Sequence, residues 1–569
     1  MMLHLTRMKS MAVLIQIAFI TSILFSGSVT QPVGAVQSLH PAADAFTVPV
    51  TIETYGKAWD GYLAYGLWDF PYNSTGFSYI PLAYLVVMTT KGELLDLRTA
   101  SGEIDLGTWM ATYAPVKYMG GDTLMFDGEP DTSTHFWNLK TNVTTDFPNV
   151  YGHHDMIFNP VTRTFLTLRS YVREIDGKNV LLDTIVELDR MGNTIWTWDT
   201  YVDGHFGLKD ECPCNDTTVV NGQTVIDLTH ANSLQWNFQT NIVYMNMRHL
   251  NTFCKINKTT DQTVWCLGEH GDFTLLGSNG KQVPSLWYHA HDVREVQPDV
   301  FSMFDNDYHN TTNPANPCPA TFEETSAHSR MLEVTVNEEN MTAWTSWSWT
   351  APREYWSPYW GSVDRLPNGD HIAAFGAQSH FLPGTEIGSP LLKNTGAVVV
   401  EVNPKGEVVR TFTFRYGWGI YRVVPVALQT IDDYDGTMRT SPFTIDLTTL
   451  NDLGGPSSIY YRINNGPTRA VASDGQPHIT TQGANNTLEY WSVDSNGVEE
   501  SPHHILTGIS LQKSVGSEIS TSASTEAMPL PPISAPNTNM AFETAAVVVA
   551  AVAVLFAVVV MRRRSRKLK

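Results

Sequence analysis

The chain is short of cysteine, of positive charge and of helical periodicity, and each shortage excludes something. Five cysteines in 569 residues (Cys212, Cys214, Cys254, Cys266 and Cys318) are too few for a disulfide-stapled miniprotein. They permit at most two internal disulfides and leave one thiol over. Lys and Arg number 36 against 57 Asp and Glu, for a net charge of −21. Six of the basic residues lie in Arg562 to Lys569 and two more, Arg7 and Lys9, in the first 36 residues, so the body between has 28 basic against 57 acidic side chains. So acidic a body is a poor partner for nucleic acid, whose binding depends on neutralising phosphates with Lys and Arg. Helical spacing is almost missing between residues 45 and 510. What is present is 42% hydrophobic and 11% aromatic content with 16 Trp, which excludes a disordered chain and can fill a large core.

The two ends explain the uneven charge. Met11 to Leu24 is an apolar run behind a basic start, with small residues up to about Ala35, and residues 1–36 read as a secretory signal peptide. Thr544 to Met561 contains no charge, and Arg562-Arg563-Arg564 follows at once. A bilayer needs about 20 apolar residues, so residues 541–561 are expected to cross it once, with the basic tail 562–569 on the cytoplasmic side. Residues 513–540 are rich in Ser, Thr and Pro and suit a stalk. The expected arrangement is a single-pass type I membrane protein of the secretory pathway. Seven glycosylation sequons agree with it, at Asn73, Asn142, Asn215, Asn257, Asn310, Asn340 and Asn485. Cys254 and Cys266 lie on two strand-like runs around a polar turn, the arrangement of a cross-hairpin disulfide.

From residue 45 onward, short runs of Val, Ile, Thr, Tyr, Phe and Trp alternate with Asp, Asn and Gly turns, the signature of many short strands. One hairpin recurs, a strand, a polar turn and a strand ending in an aromatic. It stands at Glu187–Trp196, Lys255–Trp265, Glu333–Trp344 and Glu401–Phe412, with weaker copies at His135–Phe147 and Leu95–Gly107. Six copies predict an all-β fold, a six-bladed β-propeller over residues 45–427, with the hairpin aromatics packing between blades. After residue 428 the pattern changes to a compact strand set, expected to be a small immunoglobulin-like sandwich over 428–512.

Six of the 18 histidines stand in polar motifs that fall about one per repeat: Tyr151-Gly-His153-His154-Asp155, Asp227-Leu-Thr-His230-Ala-Asn232, His289-Ala-His291-Asp292 and Phe375-Gly376-Ala-Gln-Ser-His380. Singly, each is an ordinary partly buried histidine. In a propeller the inner strands of all blades meet at one channel, so the set can converge. No three or four of these residues stand out as metal ligands, and no metal or other cofactor is expected.

These motifs, together with Met247-Arg248-His-Leu-Asn-Thr-Phe, Val264-Trp-Cys-Leu-Gly268, Met303-Phe-Asp-Asn306, Ser329-Arg330 and Gly361-Ser-Val-Asp-Arg-Leu-Pro-Asn-Gly369, resemble the arylsulfotransferase family in its order over about residues 150–425. The chain has Ala290 where the family usually has Gln before His-Asp. The resemblance implies a six-bladed propeller that moves a sulfuryl group from a phenolic sulfate ester to a phenol through a sulfohistidine, with no nucleotide donor. On this likeness His380 is the nucleophile, His291 the acid/base on the phenol oxygens, and His230 a ligand of the sulfate oxygens. Asn232, Arg248, Arg294 and Arg330 are the candidates to bind substrate. The partners implied are an aryl sulfate and a phenol. The alternative is a non-catalytic cell-surface propeller that binds a glycan or protein ligand.

Overall fold

The computed structural model describes residues 46–512, apart from 70–71, 74–75, 78–81, 100–115, 128–132, 215–216, 310–317, 319–326, 378–395 and 415–416. The expected signal peptide, stalk, membrane segment and basic tail therefore lie outside the described residues, as do His380 and the sequons at Asn215 and Asn310. Among the described residues no helix is long and apolar enough to cross a membrane.

The described chain is nearly all β, and its one α-helix, Val471–Asp474, is a single turn. Up to Val426 the described strands form six mainly antiparallel sheets in chain order, with parallel pairs at the edges of two of them, and one small hairpin of Tyr72–Asn73 with Gly76–Phe77. Sheet I joins Trp418–Val426 to Tyr62–Asp69, Leu82–Thr89 and Leu94–Thr99. Sheet II runs from Lys117–Tyr118 to Val143–Phe147, and sheet III from His153–Asn159 through the long pair Thr164–Ile175 and Lys178–Leu188. Sheet IV spans Ala231–Asn237 to Gln262–Gly268, sheet V His291–Gln297 to Thr342–Thr350, and sheet VI Ser362–Arg365 to Val408–Phe414. Both chain ends close the set. Val50–Thr54 pairs with the last strand of sheet VI, and Trp418–Val426 supplies the first strand of sheet I.

The expected hairpins are the outer pairs of these sheets, and their aromatics do pack between sheets. Trp265 of sheet IV meets Phe301 of sheet V edge-on at 5.9 Å, and Phe147 of sheet II lies on Phe165 of sheet III. Trp344 is the exception, 36% exposed. The weak copy read at Leu95–Gly107 is displaced. The hairpin there pairs Tyr84–Met88 with Leu94–Thr99 and turns through Thr90-Lys91-Gly92, because Gly92 accepts the positive φ of 95° that a tight turn needs.

The first strands of successive sheets lie side by side, and one device seals them. In sheets III to VI a polar side chain near the start of the first strand accepts a backbone N–H of the next: Asp155 from Leu234, Ser233 from Val293, Asp292 from Val363 and Ser362 from Val423. In sheets III, IV and V the register slips at this point. A bulge breaks the ladder and frees an N–H, which needs a new partner. The Asp of His-Asp at 154–155 and 291–292 is thus first a structural acceptor.

After Leu428 the strands Gln429–Asp432, Leu447–Leu450, Ser458–Ile463, Gly483–Val493 and His504–Leu511 build further sheets with their own core, including Tyr461, Leu488, Ile509 and Leu511. This part rests on the preceding sheets through Val498 against Tyr62 and Val426, and Tyr62 Oη donates to Asp494 at 2.7 Å.

Candidate functional site

In an antiparallel sheet the start of the first strand and the end of the second lie at the same edge. His154, His230, His289 and His291 stand at first-strand starts. Arg248 and His249 follow the second strand of sheet IV, and His309 follows that of sheet V. These positions meet. A continuous row of rings runs from His153 to His154 (5.0 Å between centroids), His230 (5.0 Å), His249 (4.5 Å), His289 (5.5 Å) and His309 (5.1 Å). His291 flanks the row across Tyr421, whose ring lies 6.0 Å from both His154 and His291.

Three of the histidines hold left-handed backbone, with φ of 61° at His154, 45° at His230 and 58° at His289. Such conformations cost about 1–3 kcal/mol each and persist where the surroundings fix them, which is common at functional sites. His154 sits within the bulge of its strand, whereas His230 and His289 stand just before theirs.

Hydrogen bonds assign the tautomers. Asn306 donates both amide protons, to the carbonyls of Ser357 and Trp360. Its Oδ1 therefore accepts from His291 Nδ1 at 2.7 Å, and His291 keeps a lone pair on Nε2. His249 donates Nδ1–H to the Asp227 carbonyl at 2.7 Å, and its Nε2 accepts from Arg248 Nη1 at 2.6 Å. His230 Nδ1 faces the Asp227 carboxylate at 2.6 Å, an arrangement that orients the ring and compensates positive charge on it. Burial first, then Arg248, holds His289 and His291 well below the usual histidine range. Burial and His230 do the same for His154. Burial would raise the Asp227 carboxyl, yet His230 and His249 keep it below its ordinary range.

The three arginines expected to bind substrate differ sharply. Arg294 is held by Asp292 and Asp364, each at 2.8 Å. Arg330 is paired with Asp305, with Nε at 2.9 Å from Oδ2. Arg248 is 1% exposed, forms no ion pair among the described residues, and has a buried Nε with no hydrogen-bond partner. It lies over the faces of Tyr308 and Tyr359 at 5.8 and 5.3 Å. Asn232 is a scaffold, donating to the Ala290 carbonyl at 2.9 Å and accepting from Asn246 at 2.7 Å.

A ring of ions from five first strands lies beside the row. Lys117 meets Asp155 at 2.8 Å. Arg422 stands between Asp155 and Asp292 at 3.2 Å from each, close but off the hydrogen-bonding direction. Arg294 then links Asp292 to Asp364. Burial opposes the Asp155 charge, but Arg422 and Lys117 outweigh it and hold the carboxyl at about 2. Burial also pulls Lys117 down to about 8.

The structure thus brings together His230, His291 and Arg248 of the expected site, keeps Asn232 beside them as support, and removes Arg294 and Arg330 into ion pairs. Sequence reading passed over His154, His249, Asp227 and Tyr421 as site members. His154 and His249 were visible beside Asp155 and Arg248. Tyr421 and Arg422 carried no signal, because only ring closure brings strand Trp418–Val426 to this place. Cys254 and Cys266 are joined as expected. A second disulfide links Cys214 to Cys318, and Cys212 stays outside both.

Residues 139–422 match the arylsulfotransferase (ASST) family, and over that segment the chain belongs to it. No curated protein matches the chain. Solved structures similar to it include a protein of unknown function from Bacteroides caccae (10% identity, 64% of this chain and 98% of that one, TM-score 0.34). Two others are the β-propeller domain of Myceliophteria thermophila Cps50 (Swd1) (8%, 65% and 99%, TM-score 0.28) and the Pseudomonas aeruginosa periplasmic gluconolactonase PpgL (9%, 79% and 98%, TM-score 0.29). At these levels they say nothing about chemistry.

Proposed function

We propose that the six sheets are the blades of a propeller, and that the row of imidazoles at its mouth transfers a sulfuryl group from a phenolic sulfate to a phenol. The observation that carries this reading is the convergence of His230, His291 and an ion-pair-free, buried Arg248. A sulfate monoester is an anion entering an acidic body. Arg248 meets it with a guanidinium that forms no ion pair among the described residues, in surroundings that exclude water and so strengthen the attraction.

In the proposed reaction an imidazole nitrogen of His380 attacks sulfur and the S–O bond to the aryl group breaks. The phenolate leaves and takes a proton from His230. A second phenol returns a proton to His230 and attacks sulfur, and the N–S bond breaks. Asp227 favours His230 for proton transfer, while His291, held neutral with a bare Nε2, is suited to receive the acceptor hydroxyl. In this reading His230 takes the acid/base role expected of His291, and His291 binds the acceptor hydroxyl instead. For His380 the support is family likeness and position. It follows strand His371–Phe375 as His249 and His309 follow theirs, and Gly376 keeps that exit tight: a Cβ there would stand 1.6 Å from the Ile420 carbonyl.

The neutral Nε2 of His291 is a second candidate for the attack. Incubating the full-length protein in detergent with 4-nitrophenyl sulfate and a phenol, without nucleotide, should release 4-nitrophenol and form the new ester. Mass spectrometry after quenching without acceptor should find the sulfuryl group on His380, and His380→Ala should abolish both signals. Label on His291 would select the second reading. Absence of turnover with a range of acceptors would leave the non-catalytic, ligand-binding propeller. We further propose that the body is lumenal or extracellular, tethered by residues 541–561, with the part after Leu428 as an immunoglobulin-like spacer.

A further inference from the structure

The imidazole row does not end in solvent. Beyond His289 it meets Cys212, the cysteine outside both disulfides. Cys212 Sγ lies 3.7 Å from His289 Nε2 and 3.1 Å from His309 Nε2, and the two nitrogens are 3.2 Å apart. All three residues are buried, His309 at 9% exposure. We propose that Cys212, His289 and His309 form a zinc site, with a fourth position left for water or a further ligand.

The argument is geometric first. With Zn–S near 2.3 Å and Zn–N near 2.0–2.1 Å, a tetrahedral ion spaces its sulfur and nitrogen ligands by about 3.6 Å and two nitrogens by about 3.3 Å. Two edges of the observed triangle, 3.7 Å from Sγ to His289 Nε2 and 3.2 Å between the nitrogens, have those lengths, and the third, 3.1 Å from Sγ to His309 Nε2, is shorter and opens with a small turn of either side chain. The three ligand atoms all lie within 4.8 Å of one another. The donor set suits the ion, since thiolate with imidazole selects zinc over the hard, oxygen-preferring cations. Without a metal, two imidazole nitrogens would be turned at each other and at one sulfur inside a dry pocket, sharing few protons.

The surroundings are arranged for it. Cys212-Pro213-Cys214 is clamped because Cys214 is bonded to Cys318, so the metal would tie the same short segment to His309 and to His289, on opposite sides of sheet V's first hairpin. The Cys214 backbone N–H points at Cys212 Sγ at 3.3 Å, a contact that favours the thiolate. Tyr288 stacks on His309 at 4.2 Å and fixes its ring. On binding, the Cys212 thiol gives its proton to solvent and both histidines bind as neutral rings. Sequence alone did not choose these ligands. Cys212 has no neighbouring Cys pair, and His289 and His309 are visible as partners of one sulfur only after folding.

The site takes two rings from the end of the row but none of the residues given a step in the transfer reaction, and its test reads metal rather than turnover. Full-length protein purified without chelator or metal-affinity resin should carry about one zinc per chain by elemental analysis. After zinc removal, Co2+ should give the visible absorption of a tetrahedral centre with a thiolate charge-transfer band. Cys212→Ser and His309→Gln should each lower zinc affinity at least 100-fold and Cys212→Ser should abolish the charge-transfer band, whereas His371→Gln, in the hairpin of sheet VI, should change neither. Where a variant fails to fold, wild-type protein still decides: zinc should protect Cys212 from alkylation and chelator should expose it. The proposal is overturned if wild-type protein binds neither zinc nor cobalt, or if zinc affinity survives Cys212→Ser. It is equally overturned if zinc is lost only with Asp227→Asn or His230→Gln, which would move the ion to the other cluster of close ligand atoms, Asp227, His230 and His249.

Discussion

Two clusters of polar groups share the first strands of the six sheets, and they solve burial in opposite ways. In the ion ring every cation has a carboxylate: Lys117 and Arg422 on Asp155, Arg422 and Arg294 on Asp292, Arg294 on Asp364. In the row of imidazoles burial holds His154, His249, His289 and His309 below the usual histidine range, and the one permanent cation beside them, Arg248, forms no ion pair among the described residues. The ring is a closed balance that joins sheets. The row keeps unspent hydrogen-bonding capacity and an arginine outside any ion pair among the described residues, which is what the proposed anion site would use. Burial and charge alone do not separate the two clusters; the presence or absence of an ion pair does.

The contrast breaks most visibly at the two central arginines. Arg422→Met leaves Asp155 and Asp292 buried without their common partner, and removing one member of a buried pair costs about 3–5 kcal/mol. Chemical denaturation should show that loss, and a loss below about 1 kcal/mol would mean that the ring does not carry the joint between sheets III, V and I. Arg248→Met strands no carboxylate. It should leave the unfolding midpoint nearly unchanged and lower kcat/KM for aryl sulfate by about 100-fold or more, the scale of one lost charge-stabilising donor. Equal effects of both substitutions on stability would erase the distinction.

The smallest expected effect concerns the row's neutrality. His154 in the folded protein binds its proton only well below the ordinary range, whereas the unfolded chain does so near 6.5. As pH falls below about 6.5 the unfolded state takes up a proton that the folded state refuses, so stability is full above that pH and declines below it. The decline is about 1.4 kcal/mol per pH unit for one such histidine until its folded pKa is reached. His154→Gln should flatten the profile of stability between pH 6.5 and 5 by that amount. An unchanged slope would show that His154 takes its proton as readily when folded.

Much of this was legible before folding. The hairpins were read at the positions the outer strands occupy, except the one near Leu95, where residues 88–97 hold the turn and the aromatic ending is missing. The Cys254–Cys266 pair followed from two strands facing across a turn. His230, His291 and Arg248 were visible because each sits in a short polar motif. What separates Arg294 and Arg330 from Arg248 is their ion pairs, with Asp292 and Asp364 and with Asp305. Asp305 stands directly opposite Arg330 on the neighbouring strand of sheet V, but strand register is not written locally, and nothing local assigns Asp364 to an arginine on another sheet.

The sequence by itself determined the class of fold, since alternation of period two, turn residues and recurring aromatics are local properties of strands. It also determined which residue types stand at the strand starts. Only the tertiary structure decided which of those residues meet, which charges cancel and which remain. Pairing between side chains hundreds of residues apart depends on which sheets lie side by side and on closure by Val50–Thr54 and Trp418–Val426. That placement puts Arg422 between two aspartates and leaves Arg248 beside the histidines outside any ion pair among the described residues.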